Sequence, residues 1–327
     1  MKITVLTYLE RENAKTYDPV VDQVAEALAE GGHKVSILGV HNDIRKVLNH
    51  VARRKPDLVF NLMEEFGDNV RADVAVAGLL DLLGIPFTGG GPGELYIRQD
   101  KGLAKKLLKF DNILFPDFAI FPKDADFETG GNLRPPLFVK PLRTDASIGI
   151  DGTKALVRNF VDLGKRIEAI HKKLNDAAIA EEYIEGREFY VGVLGNLDPV
   201  AFPPIEMDFS GLPAGRLRVM DQQAKFATRS AAYKGTKPIV PELESELAAK
   251  LKKVAVDACR ALRVRDYGRV DLRLTDTGDI YVIEVNANCY LKRESEFVMA
   301  AKEHGLDYPT LINRIAELAL KRHQESR

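Results

Sequence analysis

Residues 267–286, YGRVDLRLTDTGDIYVIEVN, alternate polar and apolar on both sides of Thr275-Asp276-Thr277-Gly278. Two period-two runs joined by a short glycine-containing turn read as a β-hairpin. With Thr277-Gly278 as a two-residue loop, Asp276 faces Asp279, Leu272 faces Ile283, Asp271 faces Glu284 and Arg269 faces Asn286. Side chains alternate between the faces of a strand, so Arg269, Asp271, Glu284 and Asn286 share one face. Val270, Leu272, Ile283 and Val285 make the other, apolar face. A strand that buries apolar side chains seldom carries an acid without a partner. Two opposed carboxylates, with Cβ atoms about 5 Å apart, repel each other. They need a shared proton, a bridging base or a divalent cation. Arg269 and Arg273 would bridge them in an ordinary salt-bridge ladder. Two acids and an amide oxygen, all hard ligands, would suit Mg²⁺ or Mn²⁺, and Mg²⁺ typically takes few protein ligands plus substrate phosphates.

Upstream, KITVLT at residues 2–7 reads as a strand, PVVDQVAEALAEGG as a helix stopped by Gly31-Gly32, and HKVSILGV as the next strand. DIRKVLNHVARRK is a helix, DLVFNLM a strand, VAVAGLLDLLG a helix and IPFTGGGPG a strand entering a glycine-rich turn. Strand and helix thus alternate four times over roughly ninety residues, which predicts a small parallel α/β domain. From about residue 97 the pattern becomes α+β with antiparallel hairpins. ELYIRQDKGLAKKLLKF reads as one basic helix, a further helix spans roughly residues 162–174, and PTLINRIAELALKRH is a helix with basic residues in its last turn.

The 327 residues are 45% hydrophobic and 29% charged, enough for two or three domains with ample core. Lys plus Arg number 47 against 48 Asp plus Glu, a net charge of -1, so no basic surplus recommends a nucleic-acid partner. Cys259 and Cys289 have no metal-ligand spacing and read as free thiols of a reducing compartment. MKITVLTYLEREN lacks a signal-peptide core, and no apolar run is long enough to span a bilayer, so the expectation is a cytoplasmic protein with no membrane partner.

The sequence GRVDLRL…GDIYVIEVNAN resembles the metal-binding end of the ATP-grasp superfamily, in its D-alanine–D-alanine ligase-like branch. LLGIPFTGGGP with QDKGLAKKLL, PLFVKPLRTDASIGI and AEEYIEGREFYVGVLGN resemble further segments of that branch, in order and over nearly the whole chain. A single glycine-rich loop is weak; several motifs in the right order are strong. The resemblance implies a three-domain ATP-grasp fold, α/β with an α+β second half. Its units would be a parallel α/β domain at 1–96, a central subdomain at 97–180 and a C-terminal subdomain at 181–327, the last two sandwiching ATP. It implies that Lys101 and Lys140 contact phosphates, that Ser147 and Gly149 lie in the anion-cradling loop, and that Lys225 reaches the γ-phosphate. Glu181, Glu182, Tyr183 and Ile184 would line the adenine, and Glu188 would hold the ribose. Asp271, Glu284 and Asn286 would bind Mg²⁺, Arg269 would stabilise the charged intermediate, and Ser295 would contact the acceptor. The activity implied is ADP-forming ligation of a carboxylate to an amine through an acyl phosphate, on small-molecule substrates, in a chain that could form a homodimer. Without the family, Lys101 with Lys105 and Lys106 would read as a solvated helix face.

The substrate positions depart from the branch. Ala146 stands at the loop serine ahead of Ser147, Phe226 replaces a tyrosine after the loop lysine, and Cys289-Tyr290 replaces Pro-Gly. TYLERENAKTYDPV replaces a glycine-rich stretch, and NLMEEFGDN carries no histidine, although Glu64, Glu65 and Asp68 there could read a cationic amine. A site built to hydrogen-bond one ligand discriminates against others, so a substrate other than D-alanine is expected. The rival readings are a genuine D-alanine–D-alanine ligase and a non-catalytic nucleotide-binding protein of the same fold.

Overall fold

The computed structural model describes residues 1–12, 14, 16–67, 69, 72–123, 128–129, 132–143, 155–213, 215–220, 222–227 and 229–325. Strand β1 (Lys2–Tyr8), helix α1 (Val20–Glu30), β2 (Lys34–Val40), α2 (Ile44–Arg54) and β3 (Leu58–Leu62) build a parallel sheet in the order β2-β1-β3. Helix α3 (Asp73–Leu82) follows, but the fourth strand expected at IPFTGGGPG shrinks to one parallel bridge between Phe87 and Val59. Pro86 has no N–H to give a ladder, and Gly89 turns the chain at φ +83. That turn is held from the far end of the sequence. Gly89 N–H donates to Asp266 at 2.8 Å and Gly90 N–H to Asn288 Oδ1 at 2.7 Å. A Cβ on residue 89 would lie 2.1 Å from Asn288 Oδ1, which leaves room for glycine alone.

The single basic helix expected next is two, α4 (Pro92–Gln99) and α5 (Lys101–Phe110). Asp100 breaks it: its backbone is extended, and its side chain accepts the Leu103 N–H at 3.0 Å as an N-cap. Local capping wins over apolar periodicity, and the break sets the face that α5 presents to the cleft.

The central antiparallel sheet contains β4 (Phe118–Phe121), β5 (Glu128–Thr129), β6 (Leu137–Pro141), β7 (Leu156–Val157) and β8 (Ala178–Glu182), in the order β5-β4-β8-β6-β7. Helix α6 (Phe160–Leu174), capped by Asn159, packs Leu163 and Ile170 against Leu137, Val139, Ala178 and Ala180. Residues 183–186 then cross to a second antiparallel sheet. Its members are β9 (Arg187–Leu194), β10 (Val200–Ala201), β11 (Ile205–Asp208), β12 (Lys237–Ile239), β13 (Tyr267–Leu274) and β14 (Ile280–Ala287). The order is β12-β11-β9-β13-β14, with β10 beside β9. Between β11 and β12 lie short helices α7 (Gln222–Phe226) and α8 (Ala231–Lys234). Helix α9 (Ser245–Ala261) covers the apolar face with Leu251, Ala255 and Ala258 against Val191, Val270, Leu272, Val282 and Val285. Helices α10 (Glu296–Glu303) and α11 (Tyr308–Glu325) share one core with the N-terminal sheet: Phe297, Leu311 and Ile315 pack with Ile3, Val5 and Phe60.

Candidate active site

The hairpin of β13 and β14 reaches the expected pairing by an unexpected route. The turn spans residues 275–279, closed by Thr275 N–H donating to the Asp279 carbonyl at 3.0 Å. Leu274 pairs with Ile280 and Leu272 with Val282, not with Ile283. A register shift at Asp271/Leu272 leaves Ile283 as an extra residue, after which Asp271 faces Glu284 and Arg269 faces Asn286. The longer turn and the bulge cancel. Val282 therefore takes the place in the core expected of Ile283, and the polar quartet keeps its single face.

Arg269 grips Asp271 with both arms of its fork, at 2.7 Å and 3.0 Å, and its third nitrogen lies 3.2 Å from Glu296. Its guanidinium stacks on Tyr190 with the centroid 4.3 Å away. Asn286 Nδ2 is 3.2 Å from Asp271. Glu284 lies 3.9 Å from Lys101, whose Nζ also approaches the Leu142 carbonyl at 3.4 Å. The bridging base of the salt-bridge alternative is thus present for Asp271, in the person of Arg269. Arg273 points elsewhere: it binds Glu188 at 2.5 Å, and Glu188 accepts the Tyr190 hydroxyl at 2.8 Å.

Burial, opposed by Arg269 and reinforced by Glu284, pushes the Asp271 carboxyl up to about 6. Burial would raise Glu284 as well, but Lys101, Lys140, Lys225 and Arg269 outweigh it and hold that carboxyl at about 2. The pair is therefore electrostatically split, and both members are mostly ionised at neutral pH. Two carboxylates facing across a hairpin, with an amide that presents its oxygen when turned about its terminal torsion, fit a hard divalent cation that shares further ligands with phosphate. Among the described residues no group of three or more His, Cys, Asp or Glu is placed to hold a metal ion.

A pH dependence follows. The raised carboxyl of Asp271 means that its ionisation costs folding stability as pH climbs from about 4 to about 6, while a cation held by Asp271 would need the ionised form. Mn²⁺ affinity, read by electron paramagnetic resonance, is expected to fall nearly tenfold for each pH unit below about 6 and to level off above it. Asp271→Asn should abolish the dependence; an unchanged slope in that variant would assign it to another group.

Across the cleft, β6 and β8 bring Lys140 within 2.8 Å of Glu181, and α5 brings Lys105 to 3.2 Å from the other oxygen of the same carboxylate. Lys101 and Lys105 are buried, whereas Lys106 is exposed, so the solvated-face alternative is wrong for the first two. In the sequence Lys105 reads only as part of a solvated face, though its four-residue spacing from Lys101 puts both on one side of the helix. The Glu181 carboxylate is turned to these lysines. Glu182 ends β8, and Tyr183 donates its N–H to the Pro136 carbonyl at 3.0 Å, with Ile184 following in the crossing segment. Lys225 sits half-buried on α7. Ser147, Gly149, Ala146 and Asp68, and the side chain of Phe226, lie outside the described residues.

Ser295 is not a surface residue. It is buried at the start of α10, beside Glu296, and its Oγ has no hydrogen-bond partner among the described residues. Behind the hairpin lies a cavity of about 40 Å³ at the carboxyl ends of β1 and β3, lined by Tyr8, Asp18, Asn61, Glu64, Cys289 and Tyr290 among others. The Tyr290 hydroxyl binds both oxygens of Asp18, at 2.8 Å and 2.9 Å. Asn61 is buried and its Nδ2 is unpartnered among the described residues. Burial and the nearby Asp18 and Glu65 push the Glu64 carboxyl up, against Arg98. Burial likewise raises the Cys289 thiol, which keeps it protonated. Both cysteines are free, and no helix among the described residues is long and apolar enough to cross a membrane.

Two antiparallel sheets that face each other across lysines and carboxylates, behind a parallel α/β unit, define an ATP-grasp ligase. Residues 105–317 match the family model described as the D-ala D-ala ligase C-terminus. The chain is 30% identical over 296 residues to a D-alanine–D-alanine ligase of Aquifex aeolicus, covering 89% of this chain and 91% of that protein. It is 32% identical to an uncharacterized protein of Sinorhizobium fredii, y4sG, covering 93% of this chain and 88% of the other. Among solved structures, D-alanine–D-alanine ligase from Bacillus anthracis complexed with ATP shares the fold, with a TM-score of 0.78 at 22% identity over 100% of each chain. The chain belongs to the D-alanine–D-alanine ligase family.

Proposed function

We propose that this protein is an ADP-forming carboxylate–amine ligase whose substrate pair is not two D-alanines. The observation that carries the second part is the polar lining of the cavity beside Asn288 and Cys289. The crevice outside the carboxyl ends of parallel strands is where α/β folds bind ligands, and here it presents the carboxyl groups of Asp18 and Glu64, two tyrosine hydroxyls and the unpartnered Nδ2 of Asn61. That set suits a substrate bearing an ammonium group with a polar acceptor beside it.

Lys101, Lys140 and Lys225 would gather the phosphates, and Asp271, Glu284 and Asn286 would hold Mg²⁺, which when bound supplies charge neutralisation for phosphoryl transfer. The adenine would lie along residues 181–184. The substrate carboxylate becomes an acyl phosphate, releasing ADP. An amine then attacks the acyl carbon, and negative charge develops on its oxygen within reach of the Arg269 guanidinium. Collapse expels phosphate and leaves an amide. The unpartnered Ser295 hydroxyl at the start of α10 supports an acceptor that carries a carboxylate, since a helix N-terminus favours an anion.

The test is a panel of amino acids of either hand, with ATP and Mg²⁺, followed by phosphate release and product mass. Amide product from an amino acid other than D-alanine is expected; product from D-alanine alone would overturn the substrate reading. No phosphate release, with hydroxylamine also yielding no hydroxamate, would overturn the ligase reading. With the substrate in hand, Asp18→Asn and Tyr290→Phe are each expected to raise its KM about tenfold, the scale of a lost hydrogen bond to a charged group, while KM for ATP stays unchanged.

A further inference from the structure

The cluster of Lys105, Glu181 and Lys140 holds two cations and one anion, each at least nine-tenths buried: 3%, 3% and 6% exposed. A buried 1:1 ion pair is the arrangement that leaves no charge uncompensated; a second buried cation is costly unless something offsets it. Lys105 has little else to do so. Its Nζ lies 5.7 Å from the Phe115 ring centroid, and its 3.2 Å approach to Glu181 is a charge contact without hydrogen-bond geometry. Lys140, by contrast, makes the close contact, at 2.8 Å. Burial and the Lys140 charge lower the Lys105 ammonium, and Glu181, with a smaller contribution from Glu284 across the cleft, opposes them. The surplus positive charge lies on the side of the cleft that also carries Lys101 and faces Glu284 and Asp271.

We propose that Lys105 is a positioning residue for Lys140: it neutralises Glu181 from behind, so that Lys140 can leave that carboxylate for an incoming polyanion. With Lys105 absent, Lys140 and Glu181 would form a closed buried pair, and the cluster would carry no net charge to offer. With Lys105 present, Glu181 remains compensated whichever way Lys140 swings, and no lone carboxylate is left inside. This inference rests on the reading of the cleft as a triphosphate site, and binding measurements separate the two.

Calorimetric titration of a non-hydrolysable ATP analogue, of ADP and of adenosine into wild type, Lys105→Met, Lys105→Arg and Lys105→Met/Glu181→Gln tests it. Lys105→Met is expected to bind the analogue at least about tenfold more weakly, with adenosine affinity unchanged, and KM for ATP should rise more than kcat falls. Lys105→Arg should retain most of the affinity. The double variant should recover it, because Glu181→Gln frees Lys140. Equal weakening toward adenosine and the analogue, or a double variant no better than the single, would overturn the proposal in favour of a packing role. If Lys105→Met does not accumulate as folded protein, the double variant decides alone, and weak analogue binding by it would refute the idea. Wild type that binds no analogue would overturn the triphosphate reading together with this inference, whereas failure of the amino-acid panel would leave both standing.

Discussion

Glu284→Gln is expected to lower turnover by about 10²–10³-fold, or more, in a protein that still folds. Glutamine keeps the shape of the side chain, and the apolar packing of β14 is on its other face, through Val282 and Val285 against α9. What is lost is a charge that faces Asp271 and lies 3.9 Å from Lys101. That charge also contributes to stability. Burial disfavours it, but Lys101, Lys140, Lys225 and Arg269 hold the carboxyl at about 2, below its value in an unfolded chain. The contribution is present above about pH 4.5 and fades as pH falls toward about 2. Thermal melts at pH 7 should therefore place the variant a few degrees below wild type, and the gap should narrow on acidification below about pH 4. Turnover within tenfold of wild type would return Asp271 and Glu284 to an ordinary salt-bridge network.

The second large effect is expected at Arg269. Its fork binds Asp271 twice and reaches Glu296, and its guanidinium lies over the Tyr190 ring. Lysine keeps the charge but offers neither the fork nor the plane. Arg269→Lys should lose about 10²-fold in kcat, since a bidentate charged donor aimed at developing charge is worth that much. Arg269→Met should be destabilised by about 3–5 kcal/mol, because it leaves Asp271 and Glu296 without their buried counter-ion. Urea denaturation compares the two variants. A lysine variant with kcat within threefold of wild type would show that Arg269 only holds the hairpin together.

The hairpin was legible because its information is local. Period-two patterning assigns faces, and the pairing of Asp271 with Glu284 and of Arg269 with Asn286 follows from it. It was legible partly by cancellation, since a turn longer than expected and a bulge at Ile283 offset each other by one residue. The break of one helix into α4 and α5 was written in Asp100, but a cap competes with apolar periodicity and only packing shows which prevails. Lys101 could be placed by resemblance. Lys105 could not, because the same spacing serves a solvated face and a buried one.

By itself the sequence determined the parallel α/β start and the α+β remainder, the ATP-grasp resemblance and the polar quartet of the hairpin. These are properties of neighbours along the chain, set by side-chain periodicity and by residue identity at fixed spacings. Tertiary structure alone decided that Asp18 meets Tyr290, that Gly89 rests on Asp266 and Asn288, and that one carboxylate, Glu181, is shared by lysines from α5 and β6. Each of those contacts joins elements far apart in the chain. Each depends on sheet order and helix packing, which no local pattern encodes.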